Sequence, residues 1–137
     1  IGVDCKKDTK TLELAYNDPE GVTAQFNLNA LVHLNRVLKT DFDPKAFAHE
    51  AHYNESSGCL QMFLRSLVDQ RVDVCGECIH FGAGELLHTE NSYKFAPVEF
   101  GRLAGSAGFD IQKRWLDNRG YFGLYLLRAR YASVEVP

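Results

Sequence analysis

No apolar run in this sequence approaches the length needed to cross a bilayer, and no block of basic residues appears anywhere in it. The first absence argues against a membrane-spanning helix. The second removes the clustered positive face that a nucleic-acid partner requires. Cysteine is sparse: four residues, at positions 5, 59, 75 and 78, are too few for a disulfide-built secreted scaffold and point to a reducing cytoplasm. Several catalytic signatures are also missing. There is no GxSxG elbow, no phosphate-cradling GK[ST] loop, no GxGxxG and no HExxH, so a stand-alone hydrolase, kinase or zinc protease has no support.

What is present reads as a globular domain. The chain has 137 residues, 45% hydrophobic and 24% charged, with a formal charge of −3, enough to build a core and too apolar for disorder. It opens on Ile1-Gly2-Val3-Asp4, an apolar run ending in an acid, as a buried strand does at its carboxyl end. Such a strand needs neighbours on both sides. The expectation is therefore a piece cut from a longer protein, whose opening strand presents an edge and drives self-association.

The periodicities give an order of elements. Asp8-Thr9 caps a short helix with Leu12, Ala15 and Tyr16 on one face, and a longer helix carries Val22, Phe26, Ala30, Leu31, Leu34, Val37 and Leu38. Asp43-Pro44 predicts a further helical turn over Lys45 to His49, which would put His49 and His52 at a helix end. Leu60, Met62 and Leu64 alternate after the turn-forming stretch 54–58, and a second hairpin is expected around Gly76-Glu77. Leu86 to Phe95 has no clean period and reads as strand or loop. Pro97 starts a helix with Phe100, Leu103, Ala104 and Ala107 inward and Gly108 as terminator. Phe109–Leu116 and Tyr121–Arg130 form a closing hairpin around Asp117-Asn118-Arg119-Gly120. This order suits the second half of an open α/β sheet interrupted by a small β-rich insertion.

Two constellations stand out chemically. Cys75-Gly76-Glu77-Cys78 has the spacing of a zinc or redox pair, yet lacks a second pair at any familiar distance, and reads better as two small residues flanking a tight turn. The run His88-Thr89-Glu90-Asn91-Ser92-Tyr93-Lys94-Phe95 is dense in hydrogen-bonding groups. If it is extended, Glu90 and Ser92 project to the same side, and a carboxylate beside a hydroxyl suits a ligand with both an N–H donor and an acceptor, such as an imidazole. The alternative is a solvated loop leading into the next helix.

The segment 88–95, followed by Pro97-Val98-Glu99-Phe100, resembles the signature of the histidine-specific methyltransferases. Gly2-Val3-Asp4 with Lys7-Asp8, the stretches 14–18 and 21–27, Ala83-Gly84-Glu85, and Trp115-Leu116-Asp117 with Phe122 fit the same family in order. The resemblance implies the C-terminal part of a class I, Rossmann-like methyltransferase sheet: residues 1–46 and 96–137 would belong to that sheet and its helices, and 47–95 would be an inserted β-rich substrate-binding subdomain. It implies transfer of methyl groups from S-adenosylmethionine to the α-amino group of histidine, giving hercynine on the route to ergothioneine. It assigns Glu90 and Ser92 to the imidazole, Tyr16 to the substrate carboxylate and Met62 to packing against the ring. No catalytic residue and no metal is implied in this chain.

The cofactor loop, the acid on the ribose and the asparagine on the substrate amine all belong to a preceding half, so the piece alone is expected to be inactive. Ala96 stands where the family has a threonine cap, which predicts a frayed helix start, weaker by about 1 kcal/mol. Two other readings compete: a methyltransferase for another amino acid or amine, and a non-catalytic small-molecule-binding module.

Overall fold

A computed structural model describes residues 1–130, so the end of the third predicted segment, 131–137, lies outside the described residues. The chain is α/β and divides into two compact units. One comprises Asp8–Ser92; the other combines Ile1–Lys7 with the chain from Tyr93 onward.

The Asp8–Ser92 unit holds helices α1 (Thr9–Tyr16) and α2 (Val22–Leu38), a single 3-10 turn at Pro44–Ala46, and strands β2 (Phe47–Asn54), β3 (Cys59–Ser66), β4 (Gln70–Val74), β5 (Glu77–Phe81) and β6 (Leu86–Tyr93). β2, β3 and β6 form a three-stranded sheet, and β4–β5 is a separate hairpin. On β3 the alternation is clean: Leu60, Met62, Leu64 and Ser66 are buried while Gln61, Phe63 and Arg65 are less so. Leu12 of α1 packs with Ala51, Leu60 and Met62, and Leu31 of α2 packs with Phe42, Phe47, Leu64, Val72 and Phe81. Phe42, Phe47 and Phe81 meet with centroids 5.6–6.1 Å apart in tilted and edge-on geometries.

The outer edge of β2 is not left open. The Asn17 side chain donates to the Ala51 carbonyl (2.9 Å) and accepts from the Ala51 amide (3.0 Å), and Glu13 accepts from the Tyr53 amide (3.0 Å). These contacts satisfy backbone groups that would otherwise template another strand.

In the other unit, β1 (Gly2–Asp4), β8 (Phe122–Ala129) and β7 (Phe109–Leu116) form an antiparallel sheet in that order, with α3 (Pro97–Ser106) on one face. Val3, Phe100, Ala104 and Tyr125 make the core, joined by Phe95 and Leu127. The opposite face shows Phe122, Leu124, Leu126 and Trp115, each 44–53% exposed. At the end of β1, Asp4 pairs with Lys7 (2.6 Å) and with Lys94 (2.9 Å), whose side chain is 1% exposed. Burial pushes the Asp4 carboxyl up, and the two ammonium groups outweigh it, leaving it below the ordinary carboxylate range.

Three expectations need correction, and the one at the start of α3 gains a detail. Residues 47–49 are strand, not helix: the proline-initiated turn ends at Ala46, and β-paired Phe47 places its ring in the core, so His49 and His52 sit on β2. The β4–β5 turn is Cys75-Gly76, not Gly76-Glu77. Val74 pairs with Glu77, and both turn residues have positive φ (55° and 89°), as a two-residue hairpin with matching twist requires. The stripe assigned to α2 covers two faces: Leu31 is buried, whereas Val22, Phe26, Val37 and Leu38 are exposed. At the start of α3, Ala96 offers no acceptor, but Glu99 accepts from the Ala96 amide (2.8 Å) and is held by Lys6 (2.7 Å). Half of a capping box therefore remains there.

The opening strand has a partner on one side, β8, and the Phe95 segment bridges its far end through Cys5. Residues 86–93 prove to be strand β6.

Candidate functional site

The site grows from the junction of α1, α2 and β6 within the Asp8–Ser92 unit. Asp18 sets the start of α2 by accepting from the amides of Val22 (2.7 Å) and Thr23 (2.9 Å). Hydrogen bonds from Thr23 and then Val22 hold its carboxyl down at about 2. With that end pinned, the helical period sends two α2 faces in different directions. Leu31 goes to the core. Phe26, Ala30 and His33 go to a cavity of about 300 Å³, which Asn27, Asn29, Thr89 and Glu90 complete. Part of the apolar width of α2 is thereby explained: Leu31 with Leu28 and Leu34 packs the core, Phe26 and Ala30 line the cavity, and Val22, Val37 and Leu38 stay exposed.

Two of the four sequence-assigned residues meet directly, and a third belongs to the cluster beneath one of them. The Tyr16 hydroxyl lies 2.9 Å from Ser92 Oγ, and Tyr16 also packs on the cluster that contains Met62. Met62 is 2% exposed, a core position of that cluster. Glu90, two residues from Ser92 on β6, lines the α2 cavity. Residues 86–93 are extended, the condition under which Glu90 and Ser92 would share a side; Thr89 and Glu90 line the cavity, and Glu90 is exposed while Ser92 is half-buried. His88 adds to this local geometry through Nε2, which approaches the Glu90 carbonyl (3.1 Å) and Asn91 Oδ1 (3.0 Å). Thr89 ties the strand to its neighbour by donating to the Met62 carbonyl (3.0 Å).

A polar network joins the two groups. His49 Nε2 donates to the Tyr16 carbonyl (2.9 Å), and its Nδ1 accepts from Asn27 Nδ2 (2.9 Å). Asn27 Nδ2 also donates to the Phe63 carbonyl (3.1 Å). A carbonyl can only accept, so these contacts assign a neutral imidazole with its proton on Nε2. Neither Asn27 nor His49 was singled out from sequence as a site residue. The available signal was Asn27 lying at i−4 from Leu31 and i−7 from Leu34, a polar residue on the buried stripe of α2.

Among the described residues no group of three or more His, Cys, Asp or Glu gathers as a metal cluster, and the Cys75 and Cys78 thiols are free and exposed. No helix of the described residues is long and apolar enough to cross a membrane.

Residues 1–129 match the family described as histidine-specific methyltransferase, SAM-dependent. The chain is 44% identical over 128 residues to the histidine N-alpha-methyltransferase of Mycobacterium tuberculosis, covering 92% of this chain and 40% of that protein. It is 34% identical to ergothioneine biosynthesis protein 1 of Neurospora crassa, over the whole of this chain and 16% of that protein. It is 30% identical to an N-methyltransferase of Aspergillus terreus, across 90% of this chain and 35% of the relative. The chain thus spans about two fifths of the length of the mycobacterial relative and less of the fungal ones.

Proposed function

The chain belongs to the histidine-specific, SAM-dependent methyltransferase family, and from that premise we propose that it is the substrate-gripping part of a methyltransferase that N-methylates the α-amino group of histidine. The observation that carries this reading is the Tyr16–Ser92 contact beside the cluster that holds Met62, with Glu90 two residues from Ser92 and lining a cavity. In this reading residues 47–95 are the inserted substrate-binding subdomain, and 1–46 with 96–137 are the C-terminal part of a Rossmann-like sheet. The parent is a cytoplasmic enzyme.

Glu90 and Ser92 take the imidazole. The carboxylate accepts one N–H of an imidazolium ring, and the Ser92 hydroxyl accepts the other while giving its own proton to the Tyr16 oxygen. The Tyr16 hydroxyl donates to the substrate carboxylate, and Met62 supports the aromatic wall with its soft side chain. S-adenosylmethionine would supply an activated methyl group on a good leaving group. In this reading the cofactor cradle belongs to the rest of the parent. What these residues contribute is alignment of the amine and selection of the ring.

The test is to incubate the full-length parent with S-adenosylmethionine and a panel of amino acids and amines, reading methylated products by mass spectrometry. Methylated histidine as the dominant product supports the proposal, and its absence sinks it. Dominance of another amine would favour a second reading, motivated by the similarity to an N-methyltransferase of Aspergillus terreus. Histidine binding without any methyl transfer would favour the non-catalytic module.

A further inference from the structure

Asn27 is 3% exposed yet lines the cavity that holds Glu90. Its amide cannot turn over: the Phe63 carbonyl and His49 Nδ1 both require Nδ2 on their side, and a reversed amide would set oxygen against oxygen at Phe63. Oδ1 therefore points the other way. It has no protein partner among the described residues, and it is not sealed from solvent, because the single buried side-chain polar atom lacking a partner there is the Tyr125 hydroxyl. An acceptor this firmly oriented, on a residue almost wholly buried, is built to be satisfied by something entering the cavity.

We infer that Asn27 is a substrate-recognition residue whose side-chain oxygen accepts a hydrogen bond from an N–H group of the ligand. No hydroxyl of the described residues donates to it, and the carboxylate of Glu90 gives the same cavity a second acceptor. Two acceptors on one cavity favour a ligand with N–H donors and disfavour a carboxylate in that position. His49 holds the amide in register, and through the Tyr16 carbonyl it links that register to the Tyr16–Ser92 pair. This deepens the histidine reading above and rests on it.

The experiment uses the full-length parent labelled with ¹³Cγ-asparagine and titrated with histidine. The Asn27 carbonyl resonance is expected to move downfield on binding, and Asn27→Ala is expected to weaken histidine affinity about tenfold, the size of a hydrogen bond lost together with its fixed geometry. Glu90 and Ser92 occupy both ring nitrogens in this reading, so the N–H offered to Asn27 is the amine's: imidazolepropionate, which lacks the amine, is expected to leave the Asn27 resonance unmoved, and an equal shift with it would overturn the inference. If Glu90→Ala abolishes binding while the Asn27 resonance stays still on saturation, this inference falls and the histidine reading stands. If the wild-type parent binds no histidine, both fall. The resonance is read on the wild type, so a failure of Asn27→Ala to fold leaves the decision intact.

Discussion

The molecule contains two three-stranded sheets that solve the same problem differently. In the Asp8–Ser92 unit, α1 and α2 cover the apolar face of β2–β3–β6, and Glu13 and Asn17 close the free edge of β2. In the other unit, α3 covers one face of β1–β8–β7, while Phe122, Leu124, Leu126 and Trp115 show on the second. The first sheet has a two-helix cover and a closed β2 edge and is the more finished of the two. The second is covered on one side. The proposed recognition residues all lie in the unit with the more finished sheet, as a site that must hold side chains in fixed geometry requires.

The largest effect should come from deleting core volume in the finished unit. Leu64→Ala, at a fully buried position of β3, is expected to cost about 3 kcal/mol, against less than about 1 kcal/mol for Leu124→Ala on the exposed face of β8. Urea titrations of the two variants measure this, and equal losses would erase the contrast. Next comes the edge clamp. Asn17→Ala leaves the Ala51 amide and carbonyl without partners and should cost about 1–2 kcal/mol. Hydrogen exchange should then accelerate at Ala51, while the Tyr53 amide, held by Glu13, changes little.

In the second unit, Ala96→Thr restores the missing half of the capping box and should raise stability by about 1 kcal/mol, seen as a higher melting temperature. The smallest effect is electrostatic. The Asp18 carboxyl is lowered from 3.8 to about 2 in the folded state, so its contribution is complete above pH 3.8 and is lost as pH falls toward 2. Melting curves of Asp18→Asn and wild type should accordingly converge across that window. A gap that stays constant would mean the carboxylate does not cap α2.

Much of this architecture is legible in the sequence because local signals agree with tertiary packing. Asp8 caps α1, Gly108 ends α3 with φ near 81°, and the alternation of Leu60, Met62 and Leu64 marks β3. Where reading fails, a non-local contact decides. Phe47 and His49 follow a proline-started turn that looks helical, and only their cross-strand partners Ser66 and Leu64 make them strand. The two faces of α2 merge into one broad apolar stripe on paper, since periodicity cannot tell a core wall from a cavity wall. The same limit hides Asn27 and His49, whose roles depend on the Phe63 and Tyr16 carbonyls brought in from other elements. The roles proposed for Tyr16, Met62, Glu90 and Ser92 come from family resemblance. Residue chemistry alone takes Glu90 and Ser92 only as far as a ring-binding pair, and the Tyr16–Ser92 contact and the cavity at Glu90 are visible only in three dimensions.

The most direct test of histidine recognition is isothermal titration of histidine into the full-length parent and its Glu90→Ala variant. Removing an acceptor from a ring N–H should weaken binding by at least about tenfold with folding unchanged. Equal affinity in the two proteins would contradict the role assigned to Glu90 and, with it, the reading of this cavity as the seat of the imidazole.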